Sequence, residues 1–76
     1  MGRMAGIHAD RMVRALQRLG WEVRRSKGSH FALARPGRPG VITVPVKKGA
    51  TLKENTAKGI LEQAGISEEE FLHAYR

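Results

Sequence analysis

The sequence predicts an α+β fold, a two-layer sandwich in which helices cover one face of a three-stranded antiparallel sheet. Two stretches repeat apolar residues at three- and four-residue spacings, which is typical of amphipathic helices. Between them, three short segments alternate apolar and polar residues, as strands do, and glycines and prolines separate the segments. The order is therefore α-β-β-β-α with a short C-terminal helix, and at 76 residues we expect a single domain over residues 1–76.

The first helix is predicted over residues 8–19, and Gly20 is a typical helix stop. Its apolar face consists of Met12, Ala15, Leu16 and Leu19. Its opposite side carries Arg11, Arg14 and Arg18. Such a stripe of arginines can contact phosphate, although a solvated helix face is the more frequent reason for it.

The three strands are predicted at residues 21–25, 30–35 and 41–45, with a turn at residues 27–29 and a loop at residues 36–40. Alternation places one set of side chains toward the helices: Trp21, Val23, Phe31, Leu33, Ile42 and Val44. It places another set on the uncovered face: Glu22, Arg24, His30, Ala32 and Thr43. We therefore expect a polar open face with small side chains beside its histidine.

Residues 51–76 predict two further helices, each introduced by a capping box. Thr51-x-x-Glu54 opens the first of them, which extends to about Ala64. Gly59 weakens this helix by about 1 kcal/mol relative to alanine, and close packing on the sheet is one reason for a glycine there. Ser67-x-x-Glu70 opens the short last helix, which ends near Tyr75.

Positive charge is concentrated in the first two thirds of the chain. Fourteen Lys and Arg residues against seven Asp and Glu give a net charge of +7. Residues 1–50 carry eleven cations and two anions, whereas residues 51–76 carry three cations and five anions. Such a field attracts polyanions, so nucleic acid is the first candidate partner and an acidic protein the second. We expect no membrane partner, because no segment has the character of a surface-lying helix.

Several classes of protein are excluded by composition. The chain has no cysteine and its three histidines lie far apart, so we expect no disulfide framework, no metal site and no cofactor. No stretch approaches the roughly 18 apolar residues of a spanning helix, and the first residues lack the apolar region of a signal peptide. The expected location is the cytoplasm.

Lys27-Gly28-Ser29-His30 is the segment best suited to chemistry. His30 follows a flexible turn, begins a strand and lies among cations. An imidazole in that setting can transfer protons on a phosphodiester near neutral pH. The alternative is an ordinary surface histidine after a Gly-Ser turn.

Four segments follow one another along the chain: Leu19-Gly20-Trp21, Lys27-Gly28-Ser29-His30, Thr43-Val44-Pro45 and Ile60-Leu61-Glu62-Gln63-Ala64-Gly65-Ile66-Ser67. In this order and at these spacings they resemble the HicA (YcfA-like) family of small toxin proteins, from about His8 to Phe71. The resemblance implies a fold like that of double-stranded-RNA-binding domains. It also implies the toxin of a type II toxin–antitoxin pair, an mRNA interferase that cleaves mRNA independently of translation and is blocked by a HicB-type antitoxin.

The resemblance assigns the family's catalytic histidine to His30. The sequence departs from the family at Phe31, where a second histidine is frequent, which leaves no other imidazole beside His30. It departs again at Glu54 and Asn55, where a Pro-Gly pair often begins the last helix of the family, which corresponds to the helix predicted to extend to about Ala64. Neither departure removes the motif histidine.

Cleavage of RNA by such a site needs no metal ion. The ribose 2′-OH is an internal nucleophile, His30 acts as the general base, and cations stabilise the charge that develops on the phosphate. DNA lacks this hydroxyl, so we expect selectivity for RNA. No second proton donor is evident, and water or Lys27 are the candidates. The candidate RNA-binding residues are Arg24, Arg25, Lys27, Gly28, Ser29, Lys47 and Lys48.

Two other functions are compatible with the charge. The first is a module that binds structured RNA without cleaving it, in which His30 only contacts phosphate or sugar. The second is an interaction protein whose basic surface binds an acidic partner. The position of the Gly-Ser-His motif on an uncovered face favours the ribonuclease over both.

Overall fold

A computed structural model describes residues 3–47 and 49–76, and it confirms the α+β class and the three-stranded antiparallel sheet. The elements of these residues, in chain order, are β1 (Ile7–His8), α1 (Ala9–Arg18), β2 (Glu22–Lys27), β3 (His30–Arg35), β4 (Arg38–Pro45), β5 (Thr51–Leu52), α2 (Glu54–Ala64) and α3 (Glu68–Tyr75). The main sheet has the order β2-β3-β4, while β1 and β5 form a separate antiparallel pair.

The hydrophobic core lies between one face of the main sheet and the helices. Leu33, Ile42 and Val44 are buried there among apolar residues of α1 and α2. Trp21 directly precedes β2 and is also buried, whereas Val23 and Phe31 are only partly covered. All six predicted core residues thus pack on the core, but the last two line a shallow groove beside α1.

Strand β4 begins three residues earlier than the sequence predicts, so the predicted loop over residues 36–40 is wrong in extent. Only Pro36 and Gly37 connect β3 to β4, and Arg35 pairs with Arg38. Glycine and proline are ordinarily loop residues, but β4 is an edge strand, where the missing N–H of Pro39 interrupts no necessary ladder bond.

The small β1–β5 ladder was not predicted, because two residues are too few to show alternation. Ile7 pairs with Leu52 and His8 pairs with Thr51. Thr51 is therefore a strand residue, and α2 begins at Glu54 without a side-chain cap. The predicted capping box at Thr51 is wrong because its threonine is committed to this ladder.

Helix α3 is capped as the sequence predicts, since the Ser67 hydroxyl accepts a hydrogen bond from the Glu70 N–H at 3.1 Å. Its Phe71 is fully buried in the core. The other end of the helix is held by arginines of α1. Arg11 donates to the Tyr75 carbonyl at 3.2 Å, and Arg18 donates to the Ala74 carbonyl at 2.6 Å. Two arginines of the predicted stripe therefore bind helix carbonyls, which are the favoured partners of cations at a helix C-terminus.

The glycine at the end of α2 has a backbone conformation that disfavours other residues. Gly65 has φ +69°, and a Cβ built there would lie 2.9 Å from Nη2 of Arg38, which donates to the Gln63 carbonyl. Gly65→Ala should lower the free energy of unfolding by about 1–2 kcal/mol, because an L side chain is strained in this left-handed conformation. Chemical denaturation measures the change.

Gly59→Ala is the matched control within the same helix. A Cβ at Gly59 would meet no described atom beyond its own helix backbone within 4 Å, so close packing does not explain this glycine. The substitution should raise the free energy of unfolding by about 0.5–1 kcal/mol, because alanine loses less entropy in a helix. Equal effects of the two substitutions would contradict the role assigned to Gly65.

Candidate functional site

A two-residue turn joins β2 to β3 and positions the predicted histidine. Lys27 ends β2, His30 begins β3, and the two residues form a cross-strand pair. Gly28 has φ +59° whereas Ser29 has a negative φ, which is the sign pattern of a type II′ hairpin turn. Such a turn requires glycine at its first position. It places Lys27 and His30 on one face of the sheet, with Cβ atoms about 5 Å apart.

His30 lies on the open face of the sheet, opposite the helices, as predicted. Its side chain is exposed, and its ladder partners are Lys27 on one side and Pro45 on the other. Across residues 3–47 and 49–76, no protein group hydrogen-bonds to the imidazole. Both ring nitrogens are therefore accessible to a ligand on this face.

The β3–β4 ladder continues past its last paired residues and brings another cation near the turn. The Val46 N–H donates a hydrogen bond to the Ser29 carbonyl. Lys47 follows directly and is exposed, so it lies beside the Gly28–Ser29 turn. The predicted site residue Lys48 lies outside the described residues.

A bulge in β2 determines where its arginines lie. The register shifts between Val23 and Arg25, so Arg24 is the extra residue of the strand. As a result Arg25 pairs with Ala32 of the open face, one step along the sheet from His30. Simple alternation from Val23 would have turned Arg25 and Lys27 toward the helices. The consecutive charges at positions 24 and 25 are the sequence signal that could have revealed the bulge.

The cations near His30 differ in whether they form ion pairs. Nη2 of Arg24 lies 3.2 Å from the Glu22 carboxylate, so its charge is partly neutralised. Within the described part of the chain, Arg25, Lys27 and Lys47 have no carboxylate within 4.0 Å. The other acidic groups belong to the helices: Asp10, Glu54, Glu62, Glu68, Glu69 and Glu70. The open face therefore carries unpaired positive charge beside His30.

The remaining histidines are not brought to His30. His8 belongs to the β1–β5 ladder, and His73 lies on α3, where it lines a cavity of about 620 Å³ with Arg3 and Arg76. Among the residues that the structure describes, no three His, Asp or Glu side chains gather as a metal site would require. None of the described helices has the length and apolarity needed to cross a membrane.

Comparison with known proteins identifies the family. A comparison with curated protein sequences gave no match. A family model described as the HicA toxin of bacterial toxin–antitoxin systems matches residues 9–66, which run from α1 to just beyond α2 and include the Gly28–Ser29 turn and His30. The match covers most of the 76 residues and leaves α3 outside it. The chain therefore belongs to the HicA family of bacterial toxins.

Proposed function

We propose that this toxin is an endoribonuclease that cleaves mRNA with His30 as its general base. The observation that carries the proposal is the exposed His30 beside Lys27, which the Gly28–Ser29 turn places on the positive open face. A histidine kept for packing would lie between sheet and helices, where Leu33 lies. Membership of a family of toxins supports the same proposal.

The reaction proceeds by transfer within the RNA chain. His30 accepts the proton of a ribose 2′-OH while its oxygen attacks the neighbouring phosphorus. The bond from phosphorus to the 5′-oxygen breaks, which leaves a 2′,3′-cyclic phosphate on one fragment. The departing oxygen takes a proton from water or from Lys27 and becomes a 5′-hydroxyl. The scheme balances without a metal ion or a cofactor.

The surrounding cations stabilise the negative charge that develops on the phosphate during this reaction. Lys27 lies across the ladder from His30, and Arg25 lies one diagonal step away, at about 7–8 Å between Cα atoms. Both are free to approach the phosphate oxygens and to stabilise the phosphorane. Ser29 and the small Gly28 leave space for the RNA backbone at the turn, and Lys47 extends the cationic path.

Replacement of His30 tests the catalytic role directly. His30→Ala should lower the rate of RNA cleavage by about 10²–10⁴-fold, which is the usual contribution of a general base. Because the side chain is exposed, the free energy of unfolding should change by no more than about 0.5 kcal/mol. Gel-resolved cleavage of a defined mRNA measures the rate, and thermal denaturation checks the fold.

The controls for this experiment come from the same chain and the same substrate. His8→Ala and His73→Ala should cleave at nearly the wild-type rate. EDTA should have no effect, and a single 2′-deoxy substitution at the cut site should block cleavage. Unchanged cleavage by His30→Ala would refute the catalytic assignment, whereas binding without any cleavage by the wild type would favour a non-catalytic RNA-binding module.

Binding of RNA should depend steeply on salt, because neutralised phosphates release counterions. Lys47→Gln should weaken binding and reduce the slope of log K against log salt by about one. Lys58→Gln is the matched control, since it removes the same charge from α2, where Lys58 pairs with Glu54 at 3.2 Å. Equal losses from the two variants, measured by fluorescence anisotropy, would mean that only net charge matters.

An antitoxin of the HicB type is the proposed protein partner. It should cover His30 and place acidic or backbone groups against Arg25 and Lys27, because this cationic face is the one that RNA needs. Hydrogen exchange of the complex should then show protection at residues 25–32. A complex that inhibits cleavage while these residues stay unprotected would require another route of inhibition.

A further inference from the structure

A cavity of about 310 Å³ lies directly beyond the strand that pairs with His30. It begins at Pro45, the ladder partner of His30, and extends to the start of α2. The residues that line it are Pro45, Lys47, Ala50, Thr51, Leu52, Lys53 and Thr56. Apart from Lys47 and Pro45, the ladder partner of His30, none of them has a role in the site described above.

The lining has the chemistry of a small-molecule site. Pro45, Ala50 and Leu52 supply apolar surface, and Thr51 and Thr56 supply hydroxyl groups that can donate and accept hydrogen bonds. Sites for small ligands typically combine apolar walls with a few placed polar groups, in volumes from about 300 Å³ upward. A planar heterocycle with polar edges suits such a lining.

Two lysines at this cavity form no ion pair with a described carboxylate. In the described portion of the chain, neither Lys47 nor Lys53 has a carboxylate within 4.0 Å. Glu54 is adjacent to Lys53 in sequence, but its carboxylate is held by Lys58 at 3.2 Å. Both ammonium groups are therefore able to hold a phosphate at the mouth of the cavity.

We propose that this cavity binds the nucleobase of a nucleotide next to the scissile phosphate, while Lys47 and Lys53 hold that nucleotide's phosphate. The inference rests on the proposed function, since it takes His30 to mark the cut. Pro45 and His30 are opposite each other, with Cβ atoms about 5 Å apart. A phosphodiester against His30 therefore places its neighbouring nucleotide at the cavity, and the cavity selects the base at the cut site.

The ligand is tested with mononucleotides, which contain no phosphodiester to cleave. Wild-type protein is titrated with each nucleoside 5′-monophosphate, with ribose 5-phosphate and with inorganic phosphate, and amide signals are followed by NMR. We expect the signals of Ala50, Thr51 and Thr56 to move with nucleotides, and at least one nucleotide to bind several-fold more tightly than ribose 5-phosphate. Equal affinity for all three kinds of probe would leave only a phosphate site and overturn the proposal.

Two threonines make a matched pair for the contact itself. Thr56→Val removes a hydroxyl that lines the cavity and should weaken nucleotide binding by about fivefold, the equivalent of one hydrogen bond. Thr43→Val makes the same change on the open face of β4, outside the cavity lining, and should change affinity by less than about twofold. Equal effects would overturn the assignment. Ala50→Leu should fill the cavity and abolish binding.

Cleavage of RNA separates this inference from the proposed function. RNAs that carry one abasic position around the cut site are compared for wild type and Ala50→Leu. Wild type should lose rate at one abasic position, and Ala50→Leu should be indifferent to it. If Ala50→Leu cleaves RNA with an unchanged base preference, the base-binding role of the cavity is refuted, while the proposed ribonuclease activity stands. Nucleotide binding at the cavity without any RNA cleavage would refute the ribonuclease activity and support the nucleotide-binding site.

Discussion

One extra residue in β2 determines which charges share a face with His30. Strict alternation from Val23 would send Arg25 and Lys27 toward the helices, where an unpaired cation is costly to bury. The bulge at Arg24 shifts the register by one, so that Val23 stays on the core side while Arg25 and Lys27 join His30. The presence of Arg25 and Lys27 on the open face depends on this shift.

The basic composition of the chain is divided between structure and ligand binding. Arg11 and Arg18 hold the end of α3, and Arg38 donates to a carbonyl in the last turn of α2. Arg24 and Arg14 are paired with carboxylates on their own elements. Among the described residues, Arg25, Lys27 and Lys47 lie near His30 and have no carboxylate within 4.0 Å. The net charge of the chain therefore does not show how many cations are available for binding a polyanion. The structure is needed to show which of them form no ion pair.

Alternation predicted the main sheet well because β3 is regular: its bounds and the outward position of His30 follow from period two alone. The bulge in β2 and the early start of β4 depend on pairing between strands, which a single segment does not encode. The β1–β5 ladder involves two residues on each side and overrides the capping pattern of Thr51. The cavity beside Pro45 combines a strand end, a connector and a helix start, so no one motif could have indicated it.

Position 31 lies on the core face of the sheet, whereas the proposed catalytic residue His30 lies on the open face. The family resemblance suggests that Phe31 replaces a second histidine and so deprives His30 of a neighbouring imidazole. Phe31 pairs with Val44 and packs against the core, on the face opposite His30. A histidine there would point toward the helices and could not exchange protons with a substrate held on the open face. The substitution therefore alters the groove beside α1, and a second proton carrier has to come from the open face itself, where Lys27 and water are the candidates.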